Sequence, residues 1–135
     1  MRKDIAKLKY VFSPKSIAII GASDNPAKLG NVILKNLVDS AYMGKIYPIN
    51  PKYDELLGLK CYPEIQNVKQ KVDLAIFAIP AHLIPKIADD CGKKDVKGIV
   101  VLSAGFGEVG NVGLEEELKK VVLKHKMAMI GPNCL

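Results

Sequence analysis

The stretch Ser16-Ile17-Ala18-Ile19-Ile20-Gly21-Ala22-Ser23-Asp24-Asn25-Pro26-Ala27-Lys28-Leu29-Gly30 carries the pattern on which the fold turns. It opens with an apolar run, SIAIIG, bounded by Pro14 and Gly21. Such a run reads as a strand buried on both faces, because a parallel sheet covered on both sides loses the alternation of apolar and polar residues. A turn of small residues follows, and then Val32, Ile33, Leu37 and Val38 recur at helical spacing.

Working outward, the same alternation of types repeats. KIYPIN (45–50), VDLAIFAI (72–79), GIVVLS (98–103) and MAMIG (127–131) read as further strands, the first of them after Gly44, a candidate helix-terminating glycine. Leu83, Ile84, Ile87 and Cys91 mark a second helix, and Leu114, Leu118, Val121 and Val122 a third. The order predicts a single α/β domain over 1–135, Rossmann-like and doubly wound, with about five parallel strands. Right-handed crossovers then place the strand-to-helix loops along one edge of the sheet, where open α/β folds hold their ligands. Residues 1–10 are expected to form a short amphipathic helix. Residues 51–71, with Pro51, Gly58 and Pro63, are expected to be a long connection containing one helical turn.

Composition narrows the function classes. A chain of 135 residues that is 49% hydrophobic and 25% charged is sized for one core. No window approaches the roughly 18 consecutive apolar residues of a membrane span, and no signal cleavage site follows the N-terminal segment, so a cytoplasmic protein is expected. Cys61, Cys91 and Cys134 are widely spaced without a C-x-x-C pair, which argues for reduced thiols and against a zinc site. The net charge of +6 favours an anionic partner, but the lysines are scattered, which favours a small phosphorylated ligand over nucleic acid.

The loops at the predicted ligand edge carry the chemistry. Gly21, Ala22 and Ser23 let a diphosphate approach the backbone, the helix start offers unpaired N–H groups, Ser23 adds a hydroxyl and Lys28 a charge. The spacing departs from G-x-G-x-x-G. The second strand ends in Asn50-Pro51-Lys52, with no carboxylate to hold ribose hydroxyls. Lys52 instead suits a phosphorylated ribose, as in coenzyme A with its 3′ phosphate, and NADP remains compatible. The third strand ends in an apolar shelf, Ile79-Pro80-Ala81, and the fourth in the glycine-rich Ser103-Ala104-Gly105-Phe106-Gly107-Glu108. His82 and His125 read as solvated surface residues, Glu108 as an exposed loop carboxylate and Cys134 as a small buried residue. None is nominated as catalytic.

Taken together, Phe12-Ser13-Pro14-Lys15-Ser16-Ile17-Ala18-Ile19-Ile20-Gly21-Ala22-Ser23, Tyr47-Pro48-Ile49-Asn50-Pro51-Lys52, 103–108 and Gly131-Pro132-Asn133-Cys134-Leu135 closely resemble the N-terminal coenzyme A-binding domain of ADP-forming acetyl-CoA synthetases, within the succinyl-CoA synthetase superfamily. The resemblance implies that the loop from Gly21 through Ala22, Ser23, Asp24, Asn25, Pro26 and Lys28 to Gly30 holds the cofactor's phosphates. It further implies that Asn50, Pro51 and Lys52 supply the basic corner after the second strand. Ile79, Pro80, Ala81, Leu102, Ser103, Ala104 and Gly105 would lie along the thiol arm, and Asn133 in the family's active-site loop.

In such enzymes acid, coenzyme A and ATP give acyl-CoA, ADP and phosphate through an acyl phosphate and a phosphohistidine carried in a following domain. The partners implied are that domain and an ATP-grasp domain or subunit. The chain stops just after a strand, inside a loop, so it is expected to be part of a longer protein that binds coenzyme A here without turning over substrate alone. The alternatives are a stand-alone regulatory coenzyme A-binding protein and an NADP-binding oxidoreductase domain. The acyl substrate and the choice of ATP or GTP are not fixed by these residues.

Overall fold

The computed structural model describes residues 8–102 and 112–132. Strand β1 (Ser16–Ile20) leads into helix α1 (Leu29–Asp39), and β2 (Lys45–Ile49) follows. A two-stranded hairpin, β3 (Glu55–Leu56) and β4 (Leu59–Lys60), and a 3-10 turn (Ile65–Asn67) occupy the next connection. Strand β5 (Leu74–Phe77), helix α2 (Ile84–Lys93), β6 (Gly98–Val101), α3 (Val112–His125) and β7 (Ala128–Ile130) complete the described chain. The five long-range strands form one sheet in the order β2-β1-β5-β6-β7, every pair parallel. The predicted doubly wound α/β fold is what the chain adopts.

Strand β1 is buried throughout, but its two faces feed different cores. Ala18 and Ile20 join Phe77, Ile99, Val101, Ile84, Cys91 and Leu118 on the side of α2 and α3. Ile17 and Ile19 join Leu34 of α1, Leu56 and Leu74 on the other. The period of two is therefore intact in space while invisible in polarity. Phe77, Ile19, Leu34 and Ile84 are the largest side chains wholly removed from water, each contributing about 1.5–3 kcal/mol relative to exposure.

Strand β2 is an edge, and it carries Pro48. A proline is tolerated there because its missing N–H falls on the unpaired side. The Pro48 carbonyl accepts from the Tyr62 N–H at 2.9 Å, and the Asn50 N–H donates back to the Tyr62 carbonyl at 2.9 Å, so the returning chain forms a parallel bridge along this edge.

Two local expectations change, and a third, the N-terminal helix, lies partly outside the described residues. The left-handed residue after α1 is Ala41 (φ 60°), and Gly44 instead makes room for the Tyr42 ring, which an added Cβ would meet at 2.1 Å. The N-terminal helical turn covers 8–12 among the described residues. The 51–71 connection contains the hairpin as well as its helical turn, because Leu57 (φ 50°) and Gly58 (φ 79°) adopt the left-handed pair that a two-residue hairpin loop needs.

Candidate functional site

After β1 the chain crosses to one side, to β2, and after β2 it returns to the other side, to β5. The carboxyl ends of β1 and β5 thus part at a switch point, which leaves a crevice where an open α/β sheet can hold a ligand. A cleft of about 620 Å³ opens there, bordered by Gly21, Asn50, Pro51, Lys52, Ile79 and Pro80. A second of about 370 Å³ shares Gly21, Asn50, Lys52, Ile79 and Pro80 and extends to Ser23, Asn25, Lys28 and Tyr53.

The β1–α1 turn is built by close contact. Gly21 (φ 94°) donates its N–H to the Ile49 carbonyl at 3.0 Å, and a Cβ on it would lie 2.4 Å from the Ala78 carbonyl oxygen. A Cβ on Gly30 would lie 1.9 Å from the Gly21 carbonyl oxygen, so the first turn of α1 is pressed directly on the loop. Inside the loop, Ser23 Oγ accepts from the Asn25 N–H at 3.0 Å and Asn25 Oδ1 from the Ala27 N–H at 2.9 Å. Asn31 Nδ2 donates to the Ser23 carbonyl at 3.0 Å. The amino end of α1 has neither a side-chain cap nor an acidic residue in its first turn. The Asn31 N–H donates to the Lys28 carbonyl at 3.1 Å, and the positive end of the helix dipole is left without a side-chain acceptor, which suits an anion.

Asn50 ties the second loop to the first. Its Nδ2 donates to the Ala22 carbonyl at 2.8 Å while its Oδ1 accepts from the Lys52 N–H at 2.9 Å. Lys28 and Lys52 are exposed, and among the described residues no carboxylate pairs with either. Asp24, the acidic residue of the loop, accepts instead from the Tyr53 hydroxyl at 3.0 Å. Beyond Asn50, Lys52 and Glu64 the larger cleft has a mainly apolar wall of Ile20, Ile49, Ile65, Ile79, Pro80 and Ile87. Its far rim is closed by the Lys86–Asp90 ion pair at 3.2 Å. These residues suit a group with phosphates at one end and an apolar or planar body beyond.

Of the residues singled out from the sequence, Gly21, Ser23, Asn25, Lys28, Asn50, Pro51, Lys52, Ile79 and Pro80 are brought together around the clefts. Ala22 and Gly30 are buried beneath them and act through packing. Asp24, Pro26, Ala81 and Leu102 do not line either cleft. Ser103, Ala104, Gly105, Asn133, Glu108 and Cys134 lie outside the described residues. The sequence reading missed Tyr53, Pro63, Ile65, Leu83 and Ile87, which reach the clefts from the 51–71 connection and from the start of α2. The only sequence signal for them was proximity to a strand end.

Among the described residues the cysteines and histidines add no reacting group to the clefts. Cys61 and Cys91 are free and buried, and burial pushes both thiols up. His82 is exposed in a 3-10 turn, as expected. His125 is not a solvated residue: its side chain is 14% exposed, its ring fills the space over Gly92, and Nε2 lies 2.6 Å from Asp89 Oδ1. The Asp89 carboxyl is pulled down to about 2, first by this hydrogen bond and then by Lys124 and Lys93.

Residues 15–135 match the model of the CoA binding domain family. The chain is 51% identical over 129 residues to an acetate–CoA ligase (ADP-forming) of Methanocaldococcus jannaschii, an alignment covering 96% of this chain and 18% of that protein. It is 44% identical to the alpha subunit of acetate–CoA ligase (ADP-forming) II of Pyrococcus furiosus, over 95% of this chain and 28% of the subunit. Among solved structures, the dinucleotide-forming acetyl-coenzyme A synthetase 1 of Ca. Korarchaeum cryptofilum, in complex with phosphate and ADP, superposes with a TM-score of 0.90 at 48% identity. That match covers 93% of this chain and 27% of the other. The chain thus spans less than a third of the length of these relatives.

Proposed function

The chain belongs to the CoA binding domain family, and from that premise we propose that it binds coenzyme A at the switch-point cleft as one part of an ADP-forming acid–thiol ligase. The observation that carries the reading is the junction of unlike features on one cleft: an uncapped helix end and unpaired Lys28 and Lys52 beside an apolar wall. The β1–α1 turn, with the amino end of α1, receives the diphosphate through backbone N–H groups. Lys52 attracts the ribose phosphate, and the shelf of Ile79 and Pro80 borders the apolar remainder of the ligand.

When bound, the cofactor supplies the thiol on which a thioester is made. The chain's own part is to hold and orient that cofactor. His82 is exposed, the described thiols are buried, and neither cleft is lined by a histidine or a cysteine. Activation of the acid would then fall to an ATP-grasp domain or subunit and a phosphohistidine-bearing domain. Isothermal titration of this chain with coenzyme A, NADP and NAD at one salt concentration tests the reading. Selective binding of coenzyme A is expected; tighter binding of NADP, or no binding of coenzyme A, removes it.

A further inference from the structure

We infer that Tyr53 is a positioning residue whose phenol, acting through Asp24, holds the β1–α1 turn in the shape that the ligand meets. The identity of that ligand rests on the coenzyme A reading above; the restraint itself rests on geometry. Tyr53 lies in the connection between β2 and the hairpin, and its partly buried ring packs on the core shared by Leu34, Leu56 and Cys61. Its N–H reaches the Asn50 carbonyl at 3.4 Å, and just behind it the Cys61 N–H closes on the Asp54 carbonyl at 2.9 Å. The phenol is thus fixed by a part of the chain that does not belong to the turn. From there the hydroxyl donates to Asp24 Oδ1 at 3.0 Å and lies 3.5 Å from Ser23 Oγ.

Beside the backbone bond from Gly21 to Ile49, two side-chain tethers therefore cross from the β2 side to the turn. Asn50 Nδ2 holds the backbone at Ala22, and Tyr53 holds the side chain at Asp24. The second tether has an electrostatic consequence as well as a mechanical one. Asp24 is an exposed carboxylate in a loop suited to an anion, and like charges a few ångströms apart repel. Bound to Tyr53, that carboxylate stays out of both clefts, while Ser23 and Asn25 on either side of it line the smaller one. The start of the 51–71 connection, just ahead of the hairpin, is thereby the platform from which a hydroxyl reaches the turn.

The test uses Tyr53→Phe, which keeps the ring and its packing, and the double variant Tyr53→Phe with Asp24→Asn. In the ligand-free protein, amide hydrogen exchange at Asn25 and Ala27, whose N–H groups are held inside the turn, should speed up about three- to tenfold in Tyr53→Phe, the equivalent of one hydrogen bond. With coenzyme A, Tyr53→Phe should bind about three- to tenfold more weakly. The loss should be larger at low salt, and the double variant should recover most of it. Unchanged exchange at both amides overturns the inference whatever the ligand, and so does a double variant that binds no better than Tyr53→Phe. Faster exchange in a protein that ignores coenzyme A would support the restraint and remove the ligand assignment instead.

Discussion

The carboxyl edge of the sheet and the seam between α2 and α3 both gather charge, yet they treat it in opposite ways. At the seam, Asp89 receives His125 at 2.6 Å, Lys124 at 3.3 Å and Lys93 at 3.4 Å, and its carboxyl is held down to about 2. At the edge, Lys28 and Lys52 face a cleft without a carboxylate partner among the described residues, and α1 begins without a cap. Of the acids nearby, Asp24 is taken up by Tyr53 and Asp90 by Lys86, while Glu64 lines the larger cleft. Charge that the protein satisfies internally holds helices together; charge that it leaves unmatched beside a cleft is available to a ligand.

The contrast can be broken most forcefully at Gly30. Gly30→Ala drives a Cβ toward the Gly21 carbonyl and should cost about 3 kcal/mol. That corresponds to a fall of roughly 10 °C in thermal midpoint, seen by circular dichroism, with loss of coenzyme A binding in titration. A variant that melts like the native protein would mean that the helix is not pressed on the turn. Next in size, Lys52→Ala should weaken coenzyme A about tenfold but dephospho-coenzyme A far less, since one ion-paired phosphate is at stake. Equal losses for the two ligands would take Lys52 away from the ribose phosphate.

At the seam the reverse pattern is expected. Asp89→Asn should lower stability in urea unfolding by about 1 kcal/mol, the carboxylate being partly exposed and screened, while coenzyme A affinity stays within about twofold. A large loss of affinity would join the two regions that the geometry separates. The smallest effect is its pH dependence. The folded-state value of Asp89 is depressed, so its contribution is complete above the ordinary carboxylate range. It is lost as pH falls from about 4 through about 2. The gap between native protein and Asp89→Asn should therefore close as the solution is taken into acid; a gap undiminished at pH 2 would assign the stabilisation to shape and not to charge.

The sheet was legible because buried parallel strands announce themselves as apolar runs, and Gly21, Asn50, Lys52 and Pro80 could be placed at its ligand edge from strand order alone. What escaped the sequence depended on contacts between distant segments or on an unusual residue choice. The hairpin turn uses Leu57 at a left-handed position where Asn or Asp is the ordinary signal, and its strands are too short for a period to show. His125 looked solvated because nothing near it in sequence covers it; its partner Asp89 is 36 residues away, and its ring rests on Gly92. Tyr53 gave no sign of its reach to Asp24 because that contact needs the 51–71 connection to fold back over α1.

Exposed strand edges invite foreign strands, and such invitations lead to aggregation. Here the outward side of β2 offers no donor at Pro48, its carbonyl already serves Tyr62, and the next outward donor, on Asn50, is spent on the same residue. An extended segment from another molecule, arriving along this margin, would find a gap where it needs a hydrogen and an occupied oxygen where it needs a free one. From Pro48 to Asn50 the protein has closed that margin with a segment of its own chain.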